Sequence, residues 1–237
     1  MIRTGVILAA GAGSRLGELG RRSSKPMLPI CGRPLIDWVA ERLRAAGIAR
    51  LVIVAHAGDA ALQQHAQGVG ADLALQTERH GIADALCCAA PLLVAERAFL
   101  ACACDSLFAV DDLRRMLAAA DTNPDDPLVA VQTLDVEATA TRSAVVCEGG
   151  FVRAIVEKPA PRTAASNVIS LPLYGLPDRM LVRARDTAAM RGERYLSTAL
   201  NDEIAAGGHV RWIEFQHRLE ITSADDLARV EAALATT

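Results

Sequence analysis

The sequence predicts an α/β fold: a Rossmann-like, mostly parallel central sheet with helices on both faces, joined to a small β-rich subregion. Three observations predict it. Short apolar runs alternate with amphipathic segments through the first 133 residues. Those runs are continuously apolar, as in strands buried on both faces. After Asp121-Thr-Asn-Pro-Asp-Asp126 the rhythm changes to shorter runs separated by turns.

Taken in order, Thr4 to Leu8 is a first buried strand. Pro34 to Ala46 is an amphipathic helix, with Pro34 suited to its first turn, Gly47 ending it, and Leu35, Ile36, Val39, Ala40 and Leu43 on one face. Leu51 to Ala55 reads as a central strand, Asp59 to Gln67 as a weaker helix, Ala71 to Gln76 as a strand and Ile82 to Leu93 as a helix. Ala98 to Cys104 is a strand that runs into Asp105. Asp111 to Ala120 is a helix and Leu128 to Thr133 a fifth strand. Ser143 to Cys147, Gly150 to Val156 and Val168 to Tyr174 form an expected meander lying over the sheet. Helices follow at Asp178 to Ala189 and Glu193 to Ala206, then a strand at His209 to Phe215. A last helix is capped by Ser223, with Asp225 and Asp226 in its first turn.

Composition narrows the function. Apolar residues make up 51% and aromatics only 3%, so the core must be built from Ala, Leu and Val. A net charge of −3 offers no basic field for nucleic acid or an anionic membrane. No apolar run approaches the roughly 18 residues of a membrane span, and Met1-Ile2-Arg3 leads straight into a strand; neither a transmembrane helix nor a signal peptide is expected. The six cysteines lack zinc spacing and read as reduced thiols, which fits a cytoplasmic protein. The five histidines are scattered, and no Gly-x-Ser-x-Gly elbow accompanies them.

Chemistry gathers where the parallel strands end. Leu8-Ala9-Ala10-Gly11-Ala12-Gly13-Ser14-Arg15-Leu16 follows the first strand, and Lys25-Pro26 stands ten residues after Arg15. Glycines let the backbone approach phosphate oxygens, Arg15 adds a charged fork and Lys25 a mobile point charge. The combination points to a triphosphate. Leu16 and Ala55-His56 stand where a dinucleotide fingerprint needs a small residue and an acid, and no P-loop Gly-Lys-Ser/Thr is present. Asp105, at the end of a buried strand, suits a hard cation. Gln76 ends another strand, and its carboxamide can donate and accept at a base edge, which alone does not separate U, T and C. Asp84 reads as a charge in a helix first turn.

Together with Lys25-Pro-Met-Leu-Pro29 and Gly32-Arg-Pro-Leu-Ile36, the opening closely resembles the sugar-phosphate nucleotidylyltransferases that make NDP-sugars, and its match to glucose-1-phosphate thymidylyltransferases includes the ten-residue step from Arg15 to Lys25. The likeness returns in Gln76 to Gly81, Cys104-Asp105, Glu157-Lys158-Pro159, Asn167 to Tyr174 and Leu219 to Leu227, so it covers nearly the whole chain. It implies the nucleotide-diphospho-sugar transferase fold in a single domain, 1–237, with an NTP-binding half (1–133) and an acceptor-binding half (134–237).

The resemblance also implies roles. Leu8, Ala10, Gly11, Gly13, Ser14, Gln76 and Gly81 would bind the nucleotide, a pyrimidine being slightly favoured. Arg15, Lys25 and Asp105 would carry catalysis, and Asp105 and Glu220 would hold Mg²⁺. Glu157, Lys158 and Asn167 would bind the acceptor. Ala144 and Pro172 stand where relatives have Gly near the sugar, so the acceptor pocket is expected to differ, and Cys104 in place of Gly is expected to narrow the approach of the nucleotide. Glu220 replaces the usual Asp, as in choline-phosphate cytidylyltransferases of the same fold. The implied reaction transfers NMP from an NTP to a phosphorylated small molecule, foremost a sugar 1-phosphate, and releases pyrophosphate. A homo-oligomer is compatible. A cytidylyltransferase for a non-sugar phosphomonoester such as phosphocholine or a polyol phosphate stays open, as does a non-catalytic nucleotide sensor; an NAD-dependent oxidoreductase lacks its ribose-binding acid. No hexapeptide repeat of a left-handed β-helix occurs, so no fused acyltransferase domain is expected.

Overall fold

A computed structural model describes residues 1–13, 16–17, 20, 23–135, 142–159, 166–188 and 194–235. The chain runs β1 (Thr4–Leu8), a 3₁₀ turn at Lys25–Met27, β2 (Pro29–Ile30), β3 (Arg33–Pro34), α1 (Leu35–Ala46), β4 (Arg50–His56), α2 (Ala60–Gly68), β5 (Asp72–Gln76) and α3 (Ile82–Ala89). It continues with β6 (Ala98–Ala103), β7 (Ser106–Phe108), α4 (Val110–Thr122), β8 (Leu128–Thr133), β9 (Ser143–Glu148), β10 (Phe151–Glu157) and β11 (Val168–Pro177). The last elements are α5 (Met180–Ala188), α6 (Leu196–Ala205), β12 (Arg211–Glu214), β13 (Arg218–Glu220) and α7 (Ala224–Ala235). The expected helix ends at Ala189 and Glu193 lie outside the described residues.

Among the described residues, nine strands form one sheet in the order β5-β4-β1-β6-β11-β8-β12-β10-β9. The first four pair in parallel, with Val6 opposite Val52 on one side and Ala101 on the other. Side-chain alternation sorts the core into two layers. Ile7 and Ile53 join the face covered by α1, α2, α4 and α7, while Val6, Val52 and Val54 join the face covered by α3, α5 and α6. The expected Ala, Leu and Val core is present, with Phe108 and Phe215 as an edge-to-face pair at 5.6 Å.

The C-terminal half corrects one expectation. β9, β10 and β11 do not lie over the sheet as a separate meander; they extend it. β11 runs antiparallel between β6 and β8, and β12 lies parallel to β8. The ladder between β11 and β8 breaks between Ser170 and Tyr174. Pro172 sits inside that break; it has no N–H to donate, so a bulge is the place a buried strand can accept it. A short antiparallel pair, β7 with β13, was not evident from periodicity and sets Glu220 opposite Ser106.

Local chemistry fixes the ends. Gly47 closes α1 in the left-handed conformation, φ 114°, and the Asp59 side chain accepts from the Leu62 N–H to start α2. At α7 the cap works in the reverse sense to that expected. Asp226 Oδ2 accepts from the N–H and Oγ1 of Thr222 and from the N–H and Oγ of Ser223, at 2.8 to 3.1 Å. Burial works against that charge, but the four donors outweigh it and bring the Asp226 carboxyl down to about 2 from its ordinary 3.8. A depressed carboxyl stabilises the fold above its unfolded value and loses that contribution as pH falls through the folded one. Asp226→Ala is therefore expected to cost about 1 kcal/mol at neutral pH. Urea unfolding of both proteins should show this difference shrinking as pH is lowered from about 4 to about 2.

Candidate active site

The carboxyl ends of β1, β5 and β6 open into a cavity of about 1040 Å³. Leu8, Ala10, Gly11, Gly13, Lys25, Gln76, Gly81, Asp105 and Glu220 all line it, so most of the residues singled out from sequence meet there. Ser14 and Arg15 lie outside the described residues. Glu157, Lys158 and Asn167 are not among its lining.

The glycine loop leaves β1 with Gly13 at φ 60°, a conformation that favours glycine. A Cβ on Gly13 would also press to 3.3 Å from the Lys25 Cβ, so the lysine turn packs directly on the loop. Lys25 Nζ lies 2.7 Å from Asp105 Oδ2, a half-buried ion pair in which the two side chains are 13% and 27% exposed. Asp105 follows β6 because the chain must turn there into β7. Its carbonyl accepts from the Ile221 N–H, and the Ser106 hydroxyl reaches its Oδ1 at 3.2 Å. Beneath it, burial, the neighbouring Asp105 charge adding to it, pushes the Cys104 thiol up to about 12; it stays a neutral core residue.

Glu220 comes to the same rim through β13. Its Oε2 accepts from Arg142 Nη1 at 2.7 Å and Arg218 Nη2 at 2.9 Å. Arg218 is only 6% exposed; burial pulls its guanidinium below the ordinary value while Glu220 opposes that pull. This carboxylate thus neutralises a buried cation, a duty its sequence context did not signal. Among the described residues, no group of three or more His, Cys, Asp or Glu is arranged to hold a metal ion.

Gln76, 3% exposed, donates Nε2 to Asp84 Oδ2 at 2.7 Å and to the Gly81 carbonyl at 3.3 Å. Asp84 Oδ1 in turn accepts from Arg194 Nη1 at 2.8 Å. Arg194 also seals the loop through its backbone: its N–H donates to the His80 carbonyl and its carbonyl accepts from the Ala83 N–H. Gly81 sits at φ 109°, and a Cβ there would come within 2.6 Å of the Arg194 carbonyl oxygen. Arg79, between Gln76 and Gly81, lines the cavity and donates Nε to the Ala10 carbonyl at 2.9 Å. Sequence reading passed over Arg79 and Arg194; the first lay within the run already quoted, whereas nothing local marks the second.

In the acceptor half, Glu157 accepts from the hydroxyls of Ser143 at 2.7 Å and Ser197 at 2.5 Å, tying β10 to β9 and α6. Lys158, at φ 43°, donates to the Tyr195 hydroxyl at 2.9 Å. Asn167 is exposed, and its carbonyl accepts from the Leu134 N–H.

Solved proteins share this architecture along nearly their whole length. Against UDP-glucose pyrophosphorylase complexed with UDP-glucose, the TM-score is 0.85 at 20% identity, covering 100% of this chain and 99% of that one. UDP-glucose pyrophosphorylase from Acinetobacter baumannii gives 0.85 at 19%, covering 98% and 93%. The fold is therefore that of the nucleotide-diphospho-sugar transferases, as the motifs implied. Residues 4–219 match the Nucleotidyl transferase family, and the chain belongs to it. The bifunctional protein GlmU of Pelotomaculum thermopropionicum is 29% identical across 97% of this chain and 51% of its own length. The chain spans about half the length of the curated relatives it matches.

Two stability outcomes follow from this geometry. Gly81→Ala forces a side chain into the Arg194 backbone at positive φ and is expected to cost roughly 1–3 kcal/mol in denaturant unfolding. Glu220→Gln leaves Arg218 with a weakened partner and should cost about 1–3 kcal/mol by the same measurement.

Proposed function

We propose that the chain transfers a nucleoside monophosphate from an NTP to a phosphorylated small molecule, foremost a sugar 1-phosphate, and releases pyrophosphate. The observation that carries this reading is the half-buried Lys25–Asp105 pair beside the glycine loop, on the rim of one cavity, in a chain of the Nucleotidyl transferase family. An acceptor phosphate oxygen attacks the α-phosphorus in line, and the bond to the leaving pyrophosphate breaks. Nothing covalent is asked of the protein, so its work is positioning and neutralising charge.

Leu8, Ala10, Gly11 and Gly13 bring backbone to the nucleotide, and Ser14 continues the cradle. Arg15 holds the leaving pyrophosphate, and Lys25 turns from Asp105 to the reacting phosphates. Gln76 and Gly81 meet the base. Lys158 orients the acceptor phosphate and Glu157 and Asn167 bind the acceptor, as the resemblance implies. Magnesium suits the donor set: Asp105 and Glu220 are hard carboxylates lining one cavity, and each keeps one oxygen outside an ion pair among the described residues. When bound there it neutralises phosphate charge, with water and substrate phosphates completing its shell. The six cysteines are free thiols, which supports a cytoplasmic enzyme. No helix among the described residues is long and apolar enough to cross a membrane.

Pyrophosphate release from UTP, dTTP, CTP, ATP and GTP, each with a panel of sugar 1-phosphates, phosphocholine and polyol phosphates, tests the reading. Release that needs both an NTP and one phosphomonoester supports it; no release from any pair overturns it. Asp105→Asn is expected to abolish that release with little change in melting temperature. Lys25→Ala should lower kcat/KM by on the order of 10²-fold, as loss of a transition-state cation does.

A further inference from the structure

The carboxamide of Gln76 is not free to choose its polarity. Its NH₂ group faces two acceptors, Asp84 Oδ2 at 2.7 Å and the Gly81 carbonyl at 3.3 Å. A half-turn of the amide would set its oxygen against both, and an ionised carboxylate can only accept. Asp84 itself is held: Arg194 Nη1 grips its other oxygen at 2.8 Å, with the two side chains 18% and 21% exposed. What remains of the buried Gln76 side chain is Oε1, its one polar atom without a partner among the described residues, on a residue that lines the cavity.

We infer that Asp84, clamped by Arg194, is a positioning residue that locks Gln76 as an acceptor, so that the nucleotide site selects pyrimidines by the polarity of their ring nitrogen. Uracil and thymine present N3–H, a donor, and satisfy Oε1. Cytosine presents an N3 lone pair to the same oxygen, and two acceptors facing each other in a desolvated site are left unpaired. Discrimination built on a fixed hydrogen-bonding group is strong, because the wrong partner leaves a buried polar atom unsatisfied. An unclamped glutamine would turn over and take either base. This inference rests on the proposed nucleotide cavity but not on the chemistry performed there.

The test compares UTP with CTP in the wild type, Asp84→Asn and Arg194→Lys, by kcat/KM for pyrophosphate release and, separately, by equilibrium titration of each nucleotide. Wild type is expected to favour UTP. The carboxamide introduced by Asp84→Asn offers both a donor and an acceptor and frees the Gln76 amide to turn, so the UTP-to-CTP ratio should fall by on the order of 10-fold. Arg194→Lys keeps the backbone seal of the loop and should lower the ratio in the same direction by less, which keeps the inference testable if Asp84→Asn fails to fold. Equal losses for both nucleotides, with an unchanged ratio, would give Asp84 a purely structural role and overturn the inference, as would a wild type that favours CTP. If no pair releases pyrophosphate yet titration shows the ratio and its collapse, the transfer reading fails and the inference stands. If neither nucleotide binds, both fail.

Discussion

Everything in this molecule depends on one constraint: β4, β1 and β6 run in parallel, so their carboxyl ends share one rim. Each is buried on both faces, and its polar residues can appear only where it stops. The glycine loop, Gln76 on neighbouring β5, and Asp105 are therefore delivered to a single edge without any need for them to be close in sequence. The cavity is a consequence of strand direction before it is a consequence of side chains.

What the rim holds is a set of mutual restraints among charges. Lys25 and Asp105 occupy each other, Glu220 gathers two arginines, and Asp84 stands between Gln76 and Arg194. Such half-buried pairs contribute little net stability, because desolvation offsets much of their attraction. Their value is geometric: each fixes a long side chain at a defined place.

How much of this was legible in the residues follows from range. The parallel strands announced themselves through unbroken runs such as Leu51 to Ala55, and α1 through its apolar stripe between Pro34 and Gly47. The meeting of Gln76 and Asp105 with the glycine loop was read from strand ends, and the arrival of Glu220 there was implied by the resemblance. The fate of Val168 to Tyr174 was not, because insertion between two strands of an existing sheet leaves no periodic trace; nor was the β7–β13 pair, three residues on each side. Asp84 looked like a charge placed for a helix end, since its partner Arg194 lies 110 positions away and no local pattern links them.

The sheet order also governs when the molecule can complete itself during synthesis. β6 and β8 are adjacent in sequence within the main sheet yet do not touch; β11 must arrive to lie between them, and β12 must then flank β8. A growing chain can close the β5-β4-β1-β6 unit early, but β8 waits with unpaired edges until residues 168–177 emerge. Arg194, which seals the loop carrying Gln76, emerges later still. The glycine loop, Gln76 and Asp105 come with that early unit, whereas Arg194 and Glu220 reach the rim only after β11 has emerged, so a ligand that needs the complete rim acts after the parallel unit has closed rather than guiding the early steps of folding.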